Sequence, residues 1–147
     1  MSETKKQILL VEDDNNDAEL TIKALKESNI ANQIIRVEDG EEAINYLKCE
    51  GKYQSRQNLH PALILLDLKL PKINGLEVLK TIRGNEALKY IPVVVLTSSR
   101  EEQDLIRSYE LGVNAYVVKP VDFQQFALAI KELGIFWLVI NIPPPEK

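Results

Sequence analysis

Several acids, a run of hydroxyls and a lysine each follow a short apolar run, and as a set they could handle a phosphoryl group. Ile8-Leu9-Leu10-Val11 ends in Glu12-Asp13-Asp14, and Leu63-Ile64-Leu65-Leu66 ends in Asp67. Val93-Val94-Val95-Leu96 ends in Thr97-Ser98-Ser99, and Tyr116-Val117-Val118 ends in Lys119-Pro120. Taken singly, these are ordinary features: a capping acid, a Thr-Ser-Ser N-cap, a Lys-Pro turn. If the runs are neighbouring strands, three carboxylates, a hydroxyl and an ammonium converge on one rim. Carboxylates held close together repel, and burial raises their pKa values unless a cation neutralises them. Mg²⁺ suits such a site, because it takes one or two carboxylates and keeps positions open for water and phosphate. Lys119 can neutralise a phosphoryl oxygen, and the Thr97 hydroxyl can donate to another. A carboxylate is a competent nucleophile for phosphoryl transfer and gives an aspartyl phosphate. The rest of that chemistry is positioning and charge stabilisation.

Convergence of these residues depends on the elements that carry them. The four apolar runs are bounded by polar or turn residues and do not alternate cleanly, which predicts strands buried on both faces. A fifth candidate, Gln33–Val37, alternates and is followed by Asp39-Gly40, which places it nearer an edge. Between the runs lie segments of helical period. Ala18, Ile22 and Leu25 mark the first, with Asp17 and Glu19 in its opening turn, where the macrodipole favours acids. Ala43, Ile44 and Leu47 mark the second, and Leu76, Leu79 and Ile82 the third, opening after Asn74-Gly75. Leu105, Ile106, Tyr109 and Leu111 mark a fourth that ends at Gly112. Phe126, Ile130, Leu133 and Trp137 mark a fifth, which Asp122 can cap. Five strand–helix units predict a doubly wound α/β sheet with right-handed crossovers. Ligands of such sheets sit at the carboxyl ends of the strands, where the acids and the lysine are. The polar stretch at residues 49–58 reads as a surface loop.

Composition restricts the function classes. The 147 residues suit one compact domain with a short appendage, and 45% hydrophobic with 27% charged content is that of an ordinary globular protein. A net charge of −4, with basic residues scattered among acids, argues against nucleic acid as a partner. The longest apolar stretch, residues 135–140, is too short to span a bilayer, so no membrane role is expected. The single cysteine, Cys49, cannot form an internal disulfide. With no secretory signal in view, a cytoplasmic location is expected.

The segments ILLVEDD at 8–14, LILLDLKLPKINGLEVL at 63–79, VVVLTSS at 93–99 and AYVVKPVD at 115–122 resemble the response-regulator receiver family of two-component signalling. The match runs over residues 6–133. Thr97 follows Asp67 by 30 residues and Lys119 follows Thr97 by 22, which suits the family pattern. The resemblance implies a flavodoxin-like doubly wound five-stranded parallel sheet, (βα)5, with strand order 2-1-3-4-5. It implies that Asp67 accepts a phosphoryl group from a sensor histidine kinase in the presence of Mg²⁺. Asp13 and Asp67 would ligate the ion directly, Glu12 through water, and Lys69 through its backbone carbonyl. Thr97, Ser98 and Lys119 would bind the phosphoryl group. Thr97 and Tyr116 fall at the family's switch pair, in which the hydroxyl moves toward the phosphoryl group and the ring turns inward. Lys119-Pro120 would carry a cis peptide bond. The first acid is Glu12 rather than the commoner Asp, and Lys69 and Ser99 occupy positions that tune dephosphorylation in this family. No output domain for DNA is expected, nor turnover of many substrates.

Beyond the fifth helix, residues 134–147 form an apolar extension. Ile135, Phe136, Val139, Ile140 and Ile142 are surplus to one helix face, and such a patch marks an interface. The expectation is a homodimer in which the tail and the last helix pair across a two-fold axis, with Phe136, Trp137, Val139 and Ile140 at the interface; the alternative is a tail that folds back on its own domain. The long 49–58 loop and the apolar tail together resemble stand-alone receivers that serve bacterial phytochrome kinases, which implies a phytochrome as kinase and a separate downstream protein as target. Two alternatives stand beside this reading. A Mg²⁺-dependent phosphatase of the haloacid dehalogenase type also uses an aspartate at a strand end, but needs a second Asp two residues later, where this chain has Lys69. The other is a binding module that works through the tail and last helix without phosphorylation. His60, in a loop before Pro61, is read as structural, and Cys49 is left unassigned.

Overall fold

The structure is a computed structural model and describes residues 7–27, 33–56, 60–70 and 73–133. Strands β1 (Gln7–Val11), β2 (Gln33–Val37), β3 (Leu63–Asp67), β4 (Val93–Thr97) and β5 (Ala115–Val118) alternate with helices α1 (Asn15–Glu27), α2 (Gly40–Lys48), α3 (Gly75–Arg83), α4 (Arg100–Ser108) and α5 (Phe123–Leu133). All strand pairs are parallel, and the sheet order is β2-β1-β3-β4-β5. This is the flavodoxin-like doubly wound sheet. No helix among the described residues is long and apolar enough to cross a membrane.

The unbroken apolar runs are explained by where their residues go. In β1, β3 and β4 alternate side chains enter opposite cores, as the period of a strand requires. Ile8, Leu10, Leu63, Leu65, Val94 and Leu96 join Ala18 and Leu25 of α1 and Phe126 of α5. Leu9, Val11, Ile64, Leu66, Val93 and Val95 join Ala43 and Leu47 of α2, Val78, Leu79 and Ile82 of α3, and Ile106 of α4. Every residue of β3 and β4 is buried, whereas β2 begins exposed and β5 keeps Val118 half-exposed at the far edge. Burying one such Leu or Val contributes roughly 1.5–3 kcal/mol relative to leaving it in water.

Polar side chains set the helix starts. Asp39, Asn74, Ser99 and Asp122 accept from the backbone N–H groups of Glu42 (2.7 Å), Glu77 (3.0 Å), Glu102 (3.2 Å) and Gln125 (2.8 Å). The cap expected of Asp122 is therefore present. Gly75 opens α3 directly against the end of β3, where a Cβ would lie 2.5 Å from the Asp67 carbonyl oxygen. Only a glycine lets α3 start so close to Asp67.

Two elements differ from the sequence reading. The fourth helix stops at Ser108, short of Gly112, because Glu110 and Gly112 both take left-handed φ values, 51° and 64°. Of the apolar residues that marked it, Ile106 is buried, while Leu105 and Tyr109 are exposed. The described part of the 49–58 stretch is also more than a polar loop. It contains a 3₁₀ turn at Gly51–Tyr53, and the Tyr53 ring meets Tyr46 edge-on with centroids 5.0 Å apart. The Tyr53 hydroxyl donates to Glu42 (2.6 Å), and the Arg56 guanidinium donates to the Tyr46 carbonyl while lying 3.9 Å from its ring. These contacts pin the segment to α2. Phe136, Trp137, Val139 and Ile140, assigned to a dimer interface, lie outside the described residues, as does the whole 134–147 extension.

Candidate phosphoryl and metal site

The parallel registers bring the strand ends together. Asp67 is in register with Leu96 and so lies one residue short of Thr97 on the neighbouring strand, while Val11 is in register with Leu66. Glu12, Asp13 and Asp67 each offer a carboxylate oxygen, and these oxygens lie within 4.8 Å of one another. Glu12 is wholly buried and Asp67 nearly so, whereas Asp13 is exposed. Lys119 reaches into the group from the end of β5. Its Nζ lies 3.1 Å from Glu12 Oε1, 3.2 Å from Asp67 Oδ2 and 3.0 Å from Asp17 Oδ2. Its backbone N–H donates to the Thr97 carbonyl at 2.7 Å, which fixes the root of the side chain to β4. The Lys119-Pro120 bond is cis.

Three carboxylates therefore contact one ammonium, with Asp13 beside two of them, and the electrostatics follow. Burial, then the Asp67 charge, push the Glu12 carboxyl up to about 7, against the opposing hydrogen bond from Lys119. For Lys119 burial works downward, but Asp17, Asp67 and Glu12 outweigh it and raise its pKa above the usual lysine value. A surplus of negative charge in a buried place is a site for a cation. The donors are all oxygens, with no thiolate or imidazole among the clustered groups, so the fit is to a hard divalent ion.

The remaining residues are placed as follows. Lys69 is exposed; its backbone N–H points to Asp67 Oδ1 at 3.4 Å, and its ammonium pairs with Glu102 of α4 at 3.4 Å. Thr97 is fully buried, and its hydroxyl accepts from the Gln103 side-chain amide at 3.4 Å. Ser98 is exposed, with its backbone N–H held by Glu102 at 2.9 Å, and Ser99 is the cap of α4. Tyr116 is half-buried on β5, with the Arg107 guanidinium 4.8 Å from its ring centroid. His60 is exposed, and Cys49 is a free thiol in the left-handed C-cap of α2.

Three participants escaped the sequence reading. In the sequence the helix dipole is reason enough for Asp17, yet Asp17 makes the shortest of the three ion pairs of Lys119. Arg36 donates to the Glu12 carbonyl (3.0 Å) and to the Asn15 side chain (2.9 Å), fixing the loop that carries Glu12 and Asp13. A charged residue inside the alternating second strand was its one visible sign. Gln103 carried no sign beyond standing four residues before Arg107.

A parallel sheet of this order, with a buried aspartate at the end of β3 and acids and a lysine on adjoining strand ends, is the architecture of a receiver. The comparisons agree. The family model described as the response regulator receiver domain matches residues 8–131. Response regulator Rcp1 of Synechocystis sp. is 44% identical over 143 residues, covering 97% of this chain and 96% of that protein. Its Mn²⁺-bound form is a solved structure with a TM-score of 0.72 at 45% identity, covering 96% of this chain and 99% of that one. The bacteriophytochrome response regulator RtBRR has a TM-score of 0.89 at 60% identity, covering 97% of this chain and 86% of that one. For the bacteriophytochrome response regulator AtBRR the TM-score is 0.88 at 56% identity, covering 95% and 100%. This chain belongs to the response regulator receiver domain family. It is a phosphoacceptor of two-component signalling, of a family that binds a divalent metal.

Proposed function

We propose that Asp67 is the residue that accepts the phosphoryl group, from a histidine kinase of the phytochrome type. The observation that carries this is the placing of Lys119 Nζ 3.2 Å from Asp67 Oδ2, with Glu12 and Asp13 beside them. An Asp67 carboxylate oxygen attacks the phosphorus of a phosphohistidine, the P–N bond breaks, and the imidazole leaves with the electron pair. Lys119 offsets charge on the phosphoryl oxygens, and the Thr97 hydroxyl, with Ser98 nearby, supplies further donors. Asp13, Asp67, the Lys69 carbonyl and, through water, Glu12 would hold Mg²⁺. When bound, that ion supplies the positive charge that the carboxylates and the phosphoryl oxygens together require. Thr97 and Tyr116 act as the switch pair. The phytochrome assignment draws on the similarity to the two bacteriophytochrome response regulators and on the identity with Rcp1.

Phosphorylation is a switch here rather than a turnover cycle. A phosphatase of the dehalogenase type needs an acid two residues after the nucleophile, and Lys69 at that position carries an ammonium paired with Glu102. Asp67 is also 4% exposed, which limits the approach of hydrolytic water. The receiver unit is assigned to residues 6–133. The 134–147 extension, through Phe136, Trp137, Val139 and Ile140, is assigned to a homodimer, and a separate protein to the downstream target. Incubation with acetyl phosphate and Mg²⁺ tests the central assignment. A phosphorylated species should form that both Asp67→Asn and EDTA abolish; a species that survives Asp67→Asn would refute it. For the dimer, deletion after residue 133 should give a monomer by mass in solution, and an unchanged mass would rule the tail out.

A further inference from the structure

A phosphoryl group on Asp67 would bring three strong acceptor oxygens into a buried rim. Lys119 offers donors from one side, from the end of β5. Between the ends of β3 and β5 lies the end of β4, Thr97, fully buried and one residue beyond the register partner of Asp67. Its hydroxyl has one hydrogen and turns to suit its partners. In the structure that hydroxyl is engaged from α4, through the Gln103 side-chain amide at 3.4 Å.

Gln103 does not act in isolation. Arg107, one turn further along and so on the same face of α4, lies over the Tyr116 ring. Gln103, Ile106, Arg107 and Tyr116 border a single cleft between α4 and β5. The neighbouring Glu102 holds the Lys69 ammonium and the Ser98 N–H. The first two turns of α4 therefore touch the ends of β3 and β4 and the body of β5. That helix is lightly anchored, since Ile106 is the one deeply buried side chain among its described residues. Its far end is held differently, by Arg83 on the Leu111 and Gly112 carbonyls that follow it.

We infer that Gln103 is a positioning residue for the phosphoryl-transfer switch: from α4 its amide holds the Thr97 hydroxyl oxygen at 3.4 Å, a length at which movement of that oxygen toward a phosphoryl group on Asp67 breaks the bond, while the hydroxyl's own hydrogen is free to donate to the phosphoryl oxygen. The hold is a bond made in one state and lost in the other, so it biases the equilibrium by its own strength. A single long, neutral hydrogen bond of this kind corresponds to about a threefold to tenfold shift in affinity. The inference rests on the assignment of Asp67 as the phosphoacceptor.

The test uses beryllofluoride, a phosphoryl mimic, with Mg²⁺ on the full chain, its affinity read by calorimetry for wild type, Gln103→Leu, Thr97→Ala and the double variant. Gln103→Leu should bind about threefold to tenfold more tightly than wild type. In the Thr97→Ala background the same substitution should change nothing, because there is no hydroxyl left to hold. Equal effects in both backgrounds, or unchanged affinity with Thr97 present, would overturn the inference. Melting temperatures of the four proteins separate this coupling from loss of structure, which would weaken binding in both backgrounds. A wild type that does not bind the mimic at all would overturn the assignment of Asp67, and the inference with it; a wild type that binds while Gln103→Leu is unchanged overturns the inference alone.

Discussion

Two cations hold the two ends of the sheet, in opposite manners. At the amino edge, Arg83 spends its five N–H groups on neutral acceptors: the carbonyls of Leu111, Lys89, Ile91 and Gly112 and the side chain of Asn114, at 2.8–3.1 Å. Each donor has one acceptor, and each of those five acceptors is uncharged. At the carboxyl edge, Lys119 meets three carboxylates at 3.0–3.2 Å, and Asp13 stands beside them, so negative charge remains in excess. The difference separates structure from function within one fold. A matched, half-buried cation closes loops, whereas a cation outnumbered by acids leaves a place for further positive charge and for chemistry.

The largest expected effect lies at the matched end. Arg83→Met keeps the aliphatic stem but strands the acceptors that the guanidinium serves, which should cost about 2–4 kcal/mol in urea unfolding. The folded fraction should still take a phosphoryl group at the wild-type rate. A variant of full stability, or one stable but unable to be phosphorylated, would erase the distinction between the two ends.

The second effect lies at the mismatched end and depends on pH. In metal-free protein the folded Glu12 carboxyl titrates at about 7, above its unfolded value of 4.5. Between those values the folded state binds the proton that the unfolded chain has released, so stability falls as pH rises through that window. The fall should be on the order of 2 kcal/mol and should vanish in Glu12→Gln. Glu42 titrates the other way: burial works upward, but bonds from the Tyr53 hydroxyl, the Glu38 N–H and Lys52 lower its pKa, so its contribution is lost only as pH falls below 4.5 and is already complete across that window. Mg²⁺ should therefore stabilise the protein more at pH 8 than at pH 5.5. Thermal melts in EDTA and in Mg²⁺ at both values check this; metal-free stability that rises from pH 5.5 to 8 would contradict it.

The smallest effect concerns the bridge between Lys69 and Glu102. The Lys69 side chain is 77% exposed, so screening leaves the pair little strength. Glu102→Gln keeps an acceptor for the Ser98 N–H and should change stability by less than about 0.5 kcal/mol. A loss several times larger would mean that this contact shares the structural load now assigned to Arg83.

These two ends were not equally legible in the sequence. The apolar runs of β1, β3 and β4 declared strands buried on both faces, and Glu12, Asp13, Asp67, Thr97 and Lys119 stood at their ends. Side-chain spacing within one run is local information and survives in the sequence. Asp17 pairs with a lysine more than a hundred residues away, and Arg36 reaches the Glu12 carbonyl from another strand. Neither contact has a local pattern, and for Asp17 the dipole of its own helix was a sufficient explanation. The fourth helix is shorter than its periodicity predicts for a related reason. Leu105 and Tyr109 repeat at helical spacing, but periodicity does not say whether anything covers them, and the structure leaves both exposed. Arg83 offers no clue, because four of its five partners are backbone carbonyls, which every residue has.

The most direct test of the mismatched end is to locate the phosphoryl group. Protein treated with acetyl phosphate and Mg²⁺ is reduced with borohydride, which converts an aspartyl phosphate to homoserine, and the peptides are mapped by mass spectrometry. Homoserine at position 67, and at no other acid of the cluster, is the expected result. Reduction at Asp13 or Asp17, or a phosphorylated protein with Asp67 intact, would contradict it.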